Sequence, residues 1–89
     1  MSNFRGICMF INKNENGKNN ICGEMIAKYR KELKISQRIF AEKLQLMGLD
    51  IDKNAIQRIE AGKRFVTDIE LVQLSKALNK SIEDLLRIK

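Results

Sequence analysis

Four polar side chains, Lys53, Asn54, Gln57 and Arg58, are spaced to share one side of a short helical segment whose other side carries Ile56 and Ile59. Their chemistry is recognition rather than reaction. An Asn carboxamide suits a bidentate contact with adenine and an Arg guanidinium suits guanine O6 and N7, each good pair contributing about 1–3 kcal/mol of discrimination. A polar outer face is also routine on any amphipathic helix, so the alternative reading is a merely solvated face. Catalytic chemistry is poorly supplied. With no histidine in 89 residues there is no imidazole general base, no Ser-His-Asp or Cys-His pair and no Cys₂His₂ zinc site. Two cysteines, Cys8 and Cys22, neither fill a four-ligand metal site nor build a disulfide scaffold, so no metal or cofactor is expected. Asp50 and Asp52 are near neighbours, but one falls in a loop and the other reads as a helix cap. An enzyme finds no support.

The elements that must position the four side chains are legible in the spacing. Ile26, Tyr29 and Leu33 recur at three- and four-residue steps and predict a helix over about residues 23–34. Ser36 is placed to cap a second helix whose stripe is Phe40, Ala41, Leu44 and Met47, and Gly48 is suited to stop it at positive φ. Asp52 caps the third helix, which carries Ala55, Ile56 and Ile59 and stops at Gly62. Thr67 and Glu70 have capping-box spacing and open a fourth, with Leu71, Leu74, Ala77 and Leu78 inward and Asn79 as its left-handed end. Ser81 and Asp84 repeat the box before Ile82, Leu85 and Leu86. No stretch alternates with period two. The expectation is one all-α domain of five short helices over residues 21–89.

Residues 12–20 read Asn-Lys-Asn-Glu-Asn-Gly-Lys-Asn-Asn and contain no apolar side chain, so residues 1–20 are expected to form a flexible N-terminal extension. Phe4 to Ile11 carries its little apolar content and could dock as an arm on a second subunit. The apolar run Ile7–Ile11 is too short for a membrane span, which needs about 18–20 residues, or for a secretory core of about 7–15. No membrane association is expected; the cytoplasm is, with both thiols reduced.

The net charge is +6, and its distribution is uneven. Residues 28–64 hold ten basic and five acidic groups, whereas residues 65–89 hold four of each. The excess therefore lies on the segment that includes the polar helical face, as an anionic partner would require.

The run Ser36-Gln-Arg-Ile-Phe-Ala-Glu-Lys-Leu44, followed by Ile51-Asp-Lys-Asn-Ala-Ile-Gln-Arg-Ile-Glu-Ala-Gly62, resembles the helix-turn-helix of the phage repressor/Cro family of Xre-type regulators. Gly23 to Arg30 looks like that family's first helix, and Thr67–Leu78 and Ser81–Leu86 like its fourth and fifth. The resemblance implies a five-helix, lambda-repressor-like DNA-binding domain. One departure stands out. Gln45 to Asp50 separates Leu44 from Ile51, about five residues more than the family's tight turn, and predicts an extra helical turn through Met47 with Leu49 or Ile51 tucked inward.

The resemblance implies a transcriptional regulator, a repressor, that reads double-stranded DNA in the major groove with a recognition helix over 52–61. Lys53, Asn54, Arg58 and, with less weight, Gln57 would read bases. Gln37 at the start of the second helix, Lys63 and Arg64 as mobile cations, and Arg38 would bind phosphates. Lys43 is a further surface cation. Arg30 and Glu60 match a structural ion pair that the family makes between its first and recognition helices. One such motif reads one half-site, so a homodimer on a palindromic operator is expected, with Ile82, Leu85, Leu86 and Ile88 as its surface unless they only close the core. The other reading is an antitoxin-like module that uses the same fold to bind a partner protein such as a toxin.

Overall fold

The computed structural model describes residues 17–86, and among these every regular element is a helix. In chain order they are α1 (Gly23–Glu32), α2 (Gln37–Leu46), α3 (Lys53–Glu60), α4 (Asp68–Leu78) and α5 (Ile82–Leu86). Each begins where a short polar side chain can satisfy free backbone N–H groups. Ser36 Oγ accepts from Ile39 N at 3.1 Å and Asp52 Oδ1 from Ala55 N at 2.8 Å. Thr67 and Glu70 form a reciprocal capping box at 3.2 and 3.1 Å, and Ser81 and Asp84 exchange the same two bonds at 3.0 and 3.2 Å.

The first four helices end alike. A residue takes positive φ (Lys34 at 61°, Gly48 at 94°, Gly62 at 79°, Asn79 at 56°), and its own N–H and the next one turn back onto the last helical carbonyls. At Gly62 these bonds are Gly62 N to Ile59 O at 3.0 Å and Lys63 N to Arg58 O at 2.8 Å. Glycine, lacking Cβ, takes this conformation without strain. At α1 it is Lys34 that does so, which ends the helix at Glu32 rather than 34. Leu33, expected on the buried stripe, is therefore carried past the last turn and is 46% exposed.

Ile26, Phe40, Leu44, Ile56, Ile59, Leu74, Leu78 and Leu85 are fully buried and form the centre of the core. The small Ala41 is buried on α2, which packs directly on α3, and α1 packs on α3, α4 and α5. The lengthened turn is closed within the domain. α2 runs on to Leu46, Met47 and Gly48 close it, and the chain returns so that Ile51 is buried and Leu49 partly so. Gln45 Nε2 ties the return by donating to Ile51 O at 2.8 Å.

Two expectations are corrected here. Leu85 cannot serve a dimer surface, because it is fully buried in the core; Ile82 is 37% exposed and Leu86 is half-buried. The extension does not run to residue 20, because Lys18, Asn19 and Asn20 pack on the domain through the hydrogen bonds described below. Phe4–Ile11, Cys8 and Ile88 lie outside the described residues. Cys22 is a buried free thiol, and its removal from water pushes its pKa up to about 11.

Candidate nucleic-acid interface

α3 divides cleanly into two faces. Ala55, Ile56 and Ile59 are buried, while Lys53, Asn54, Gln57 and Arg58 are exposed. Asp52 caps the start of this helix by accepting from Ala55 N. None of the four exposed side chains makes a hydrogen bond or ion pair among the described residues. Recognition geometry needs this: polar forks held on a rigid frame, with nothing to break before they meet a ligand.

The frame is set by a buried ion pair. Arg30 on α1 donates from Nε to Glu60 Oε2 at 2.6 Å and from Nη2 to Oε1 at 3.0 Å, with both side chains under 10% exposed. Its remaining nitrogen, Nη1, donates to Ile35 O at 2.7 Å. Gln37 Nε2, at the first turn of α2, donates to the same Glu60 carboxylate at 2.9 Å. One carboxylate at the end of α3 therefore joins α1, α2 and α3. Such a pair loses hydration on burial and recovers it through bidentate geometry and added hydrogen bonds, so it fixes an arrangement more than it adds stability. Gln37 is half-buried and has one amide N–H committed to Glu60, which leaves the other for a ligand.

The candidate phosphate contacts do not survive equally. Arg64, expected as a mobile cation, is clamped by Glu70, with Nη1–Oε1 and Nη2–Oε2 both at 2.9 Å. The Arg64 hydrogen bonds, aided by Thr67 N–H, hold the Glu70 carboxyl below the usual carboxylate range, and Glu70 in turn raises Arg64. The same carboxylate serves as the capping residue of α4, so the clamp fastens the α3–α4 loop to the start of α4. Arg38 is exposed and pairs with Glu42 one turn along α2 at 2.9 Å, a contact of the kind that contributes little and exchanges readily. Lys43 is used internally: its Nζ donates to Ala77 O at 2.7 Å, covering a free carbonyl at the end of α4. Lys63 is exposed, and its ammonium has no partner among the described residues.

Two residues here escape sequence reasoning. Asn20 Nδ2 donates to Ile59 O at 3.1 Å and Arg64 O at 2.7 Å, while its Oδ1 accepts from Gly23 N at 2.8 Å. Asn19 donates from its backbone N to Gly62 O at 2.7 Å and from Nδ2 to Lys63 O at 2.9 Å. Nothing in an Asn-rich polar run distinguishes a clamp from a linker. Only the spacing of Asn20 three residues before Gly23, a cap position for α1, offered a signal.

Comparison with known proteins follows this geometry. The family model described as Helix-turn-helix matches residues 26–85. Among solved structures, the chain is similar to the P22 c2 repressor protein, determined in complex with synthetic operator 9T in the presence of Tl+. The two are 30% identical with a TM-score of 0.66, over 79% of this chain and 98% of that one. No curated protein matches the chain.

Proposed function

The chain belongs to the helix-turn-helix family of phage repressor and Cro-like regulators, and on that premise we propose that it is a sequence-specific, double-stranded DNA-binding transcriptional repressor. α3 reads the major groove, with Lys53, Asn54 and Arg58 as the base-reading set and Gln57 beside them. Lys63, the free N–H of Gln37 and the exposed Arg38 supply phosphate contacts. The protein works in the cytoplasm as a homodimer, each copy taking one half of a palindromic operator. Its family and fold are those of DNA-binding regulators rather than enzymes.

One observation carries this reading. The outward side chains of α3 are unengaged, while Asp52, Glu60, Arg64 and Glu70 around them are each held by hydrogen bonds. The similarity to a repressor solved on its operator supports the same reading.

The test is selection from a pool of randomised duplexes. The expected outcome is enrichment of a shared motif with two related half-sites about one helical turn apart. For the enriched duplex, log affinity should fall linearly with log salt, by about 0.9 for each phosphate contact. Recovered duplexes indistinguishable from the starting pool would overturn the assignment.

A further inference from the structure

We propose that Asn19 and Asn20 form a clamp that positions Lys63 for the DNA backbone, making them positioning residues for affinity although neither lies on α3. The proposal rests on the DNA-binding reading above. Its basis is where the hydrogen bonds go. At the end of α3 the chain turns through Ala61 and Gly62, leaving carbonyls on the loop that leads to α4. Three of them, on Gly62, Lys63 and Arg64, and the Ile59 carbonyl in the last turn of α3 accept from two consecutive asparagines. The Asn20 carboxamide uses all its geometry: both donors span from the last turn of α3 to Arg64, and its oxygen caps α1 at Gly23. The Lys18 side chain lies across Gly62, so close that a Cβ there would meet Lys18 Cδ at 2.7 Å. Lys18 itself pairs with Glu24 on α1 at 2.9 Å.

Lys63 thus sits on a loop fixed from both sides. Upstream its N–H returns to Arg58 O, and its own carbonyl is held by Asn19. Downstream, Arg64 is bonded through its carbonyl to Asn20 and through its guanidinium to Glu70. The backbone is immobilised while the ammonium is exposed and unpaired among the described residues. A long cation on a mobile loop loses backbone and rotamer freedom when it meets a phosphate; on a clamped loop the backbone part of that loss is already met in folding.

The clamp is tested with the duplex enriched from the randomised pool, using Asn20→Ser. Serine retains an oxygen for Gly23 N–H but cannot reach Ile59 and Arg64. Lys63→Ala should lower the salt slope by about 0.9, a ~3.5-fold smaller loss of affinity for a fourfold rise in salt. Asn20→Ser should instead weaken binding severalfold at fixed salt with the slope kept, because Lys63 still meets its phosphate but must order its loop to do so, and should weaken it no further in the Lys63→Ala background. An unchanged affinity in Asn20→Ser, or an equal loss of affinity with and without Lys63, overturns the proposal even though the wild type binds. Failure of the wild type to enrich any duplex would instead sink the DNA-binding reading. If Asn20→Ser does not fold at the assay temperature, Asn19→Ala, which removes only the side-chain bond to Lys63 O, carries the same comparison and the same outcomes.

Discussion

At the scale of residues, the cations of this molecule are not equivalent, and the difference lies in what already holds them. Arg58 and Lys63 are free of partners among the described residues, Arg64 is in a bidentate clamp, and Lys43 ends on a backbone carbonyl. Sequence reasoning could find the first pair from position and type, but it could not separate Lys63 from Arg64. They are adjacent, alike in charge, and distinguished only by Glu70 six residues on. The expected consequence is a contrast between two alanine variants. Arg58→Ala should cost about 1–3 kcal/mol on the preferred duplex and relax preference at one base position. Lys63→Ala should weaken binding evenly across sequences. Binding curves on the enriched duplex and on a scrambled one check both; equal losses on the two duplexes for Arg58→Ala would move base reading elsewhere on α3.

At the scale of elements, the recognition helix is held by polar anchors at its end and an apolar face along its length. Glu60 is the shared anchor, since Arg30 and Gln37 both reach it. Removing it leaves a buried guanidinium unpaired, so Glu60→Ala should lower unfolding free energy by about 3–5 kcal/mol, whereas replacing the pair together, as Arg30→Met with Glu60→Leu, should cost much less. Chemical denaturation of the three chains measures this. The second anchor is sensitive to acid. Because Glu70 titrates lower in the fold than in the unfolded chain, its contribution is complete above the unfolded carboxyl value of about 4.3. It is lost as pH falls through the lower folded value. Glu70→Gln should therefore be less stable than wild type at pH 7, with the gap closing on acidification; a gap constant in pH would show that the Arg64 clamp contributes no linked stability. Helix starts and stops were legible because each depends on one or two local residues such as Ser36, Asp52, Thr67 and Gly62. The end of α1 was not, because a lysine takes the left-handed position there and lysine carries no preference for it.

At the scale of the whole molecule, the +6 charge has a place and the partner surface has narrowed. Of the residues expected to meet a second copy, Leu85 belongs to the core and Ile88 lies outside the described residues, leaving among the described ones the exposed Ile82 and the half-buried Leu86 of α5. A homodimer built on α5 predicts two copies bound per palindromic duplex and one, more weakly, per half-site. Ile82→Glu should leave half-site affinity unchanged and reduce joint occupancy of the full site. Sedimentation of the complexes gives the stoichiometry, and a single copy saturating the full site would remove the dimer from the account.

The sequence by itself determined the five helices, their caps apart from the end of α1, most of the apolar set that closes the core and the residue types on the outer face of α3. These follow from periodicity and from hydrogen bonds between residues three or four apart, which a linear reading can count. Tertiary structure alone decided which cations are committed to internal partners, that Leu85 faces inward, and that Asn19 and Asn20 belong to the folded unit. The last of these depends on groups 44 residues apart in the chain, Asn20 and Arg64, meeting at the end of α3, while Lys43 and Arg64 are committed only because the fold brings Ala77 O and the Glu70 carboxylate beside them. A polar side chain reveals its role only when the carbonyl it will satisfy has been brought beside it.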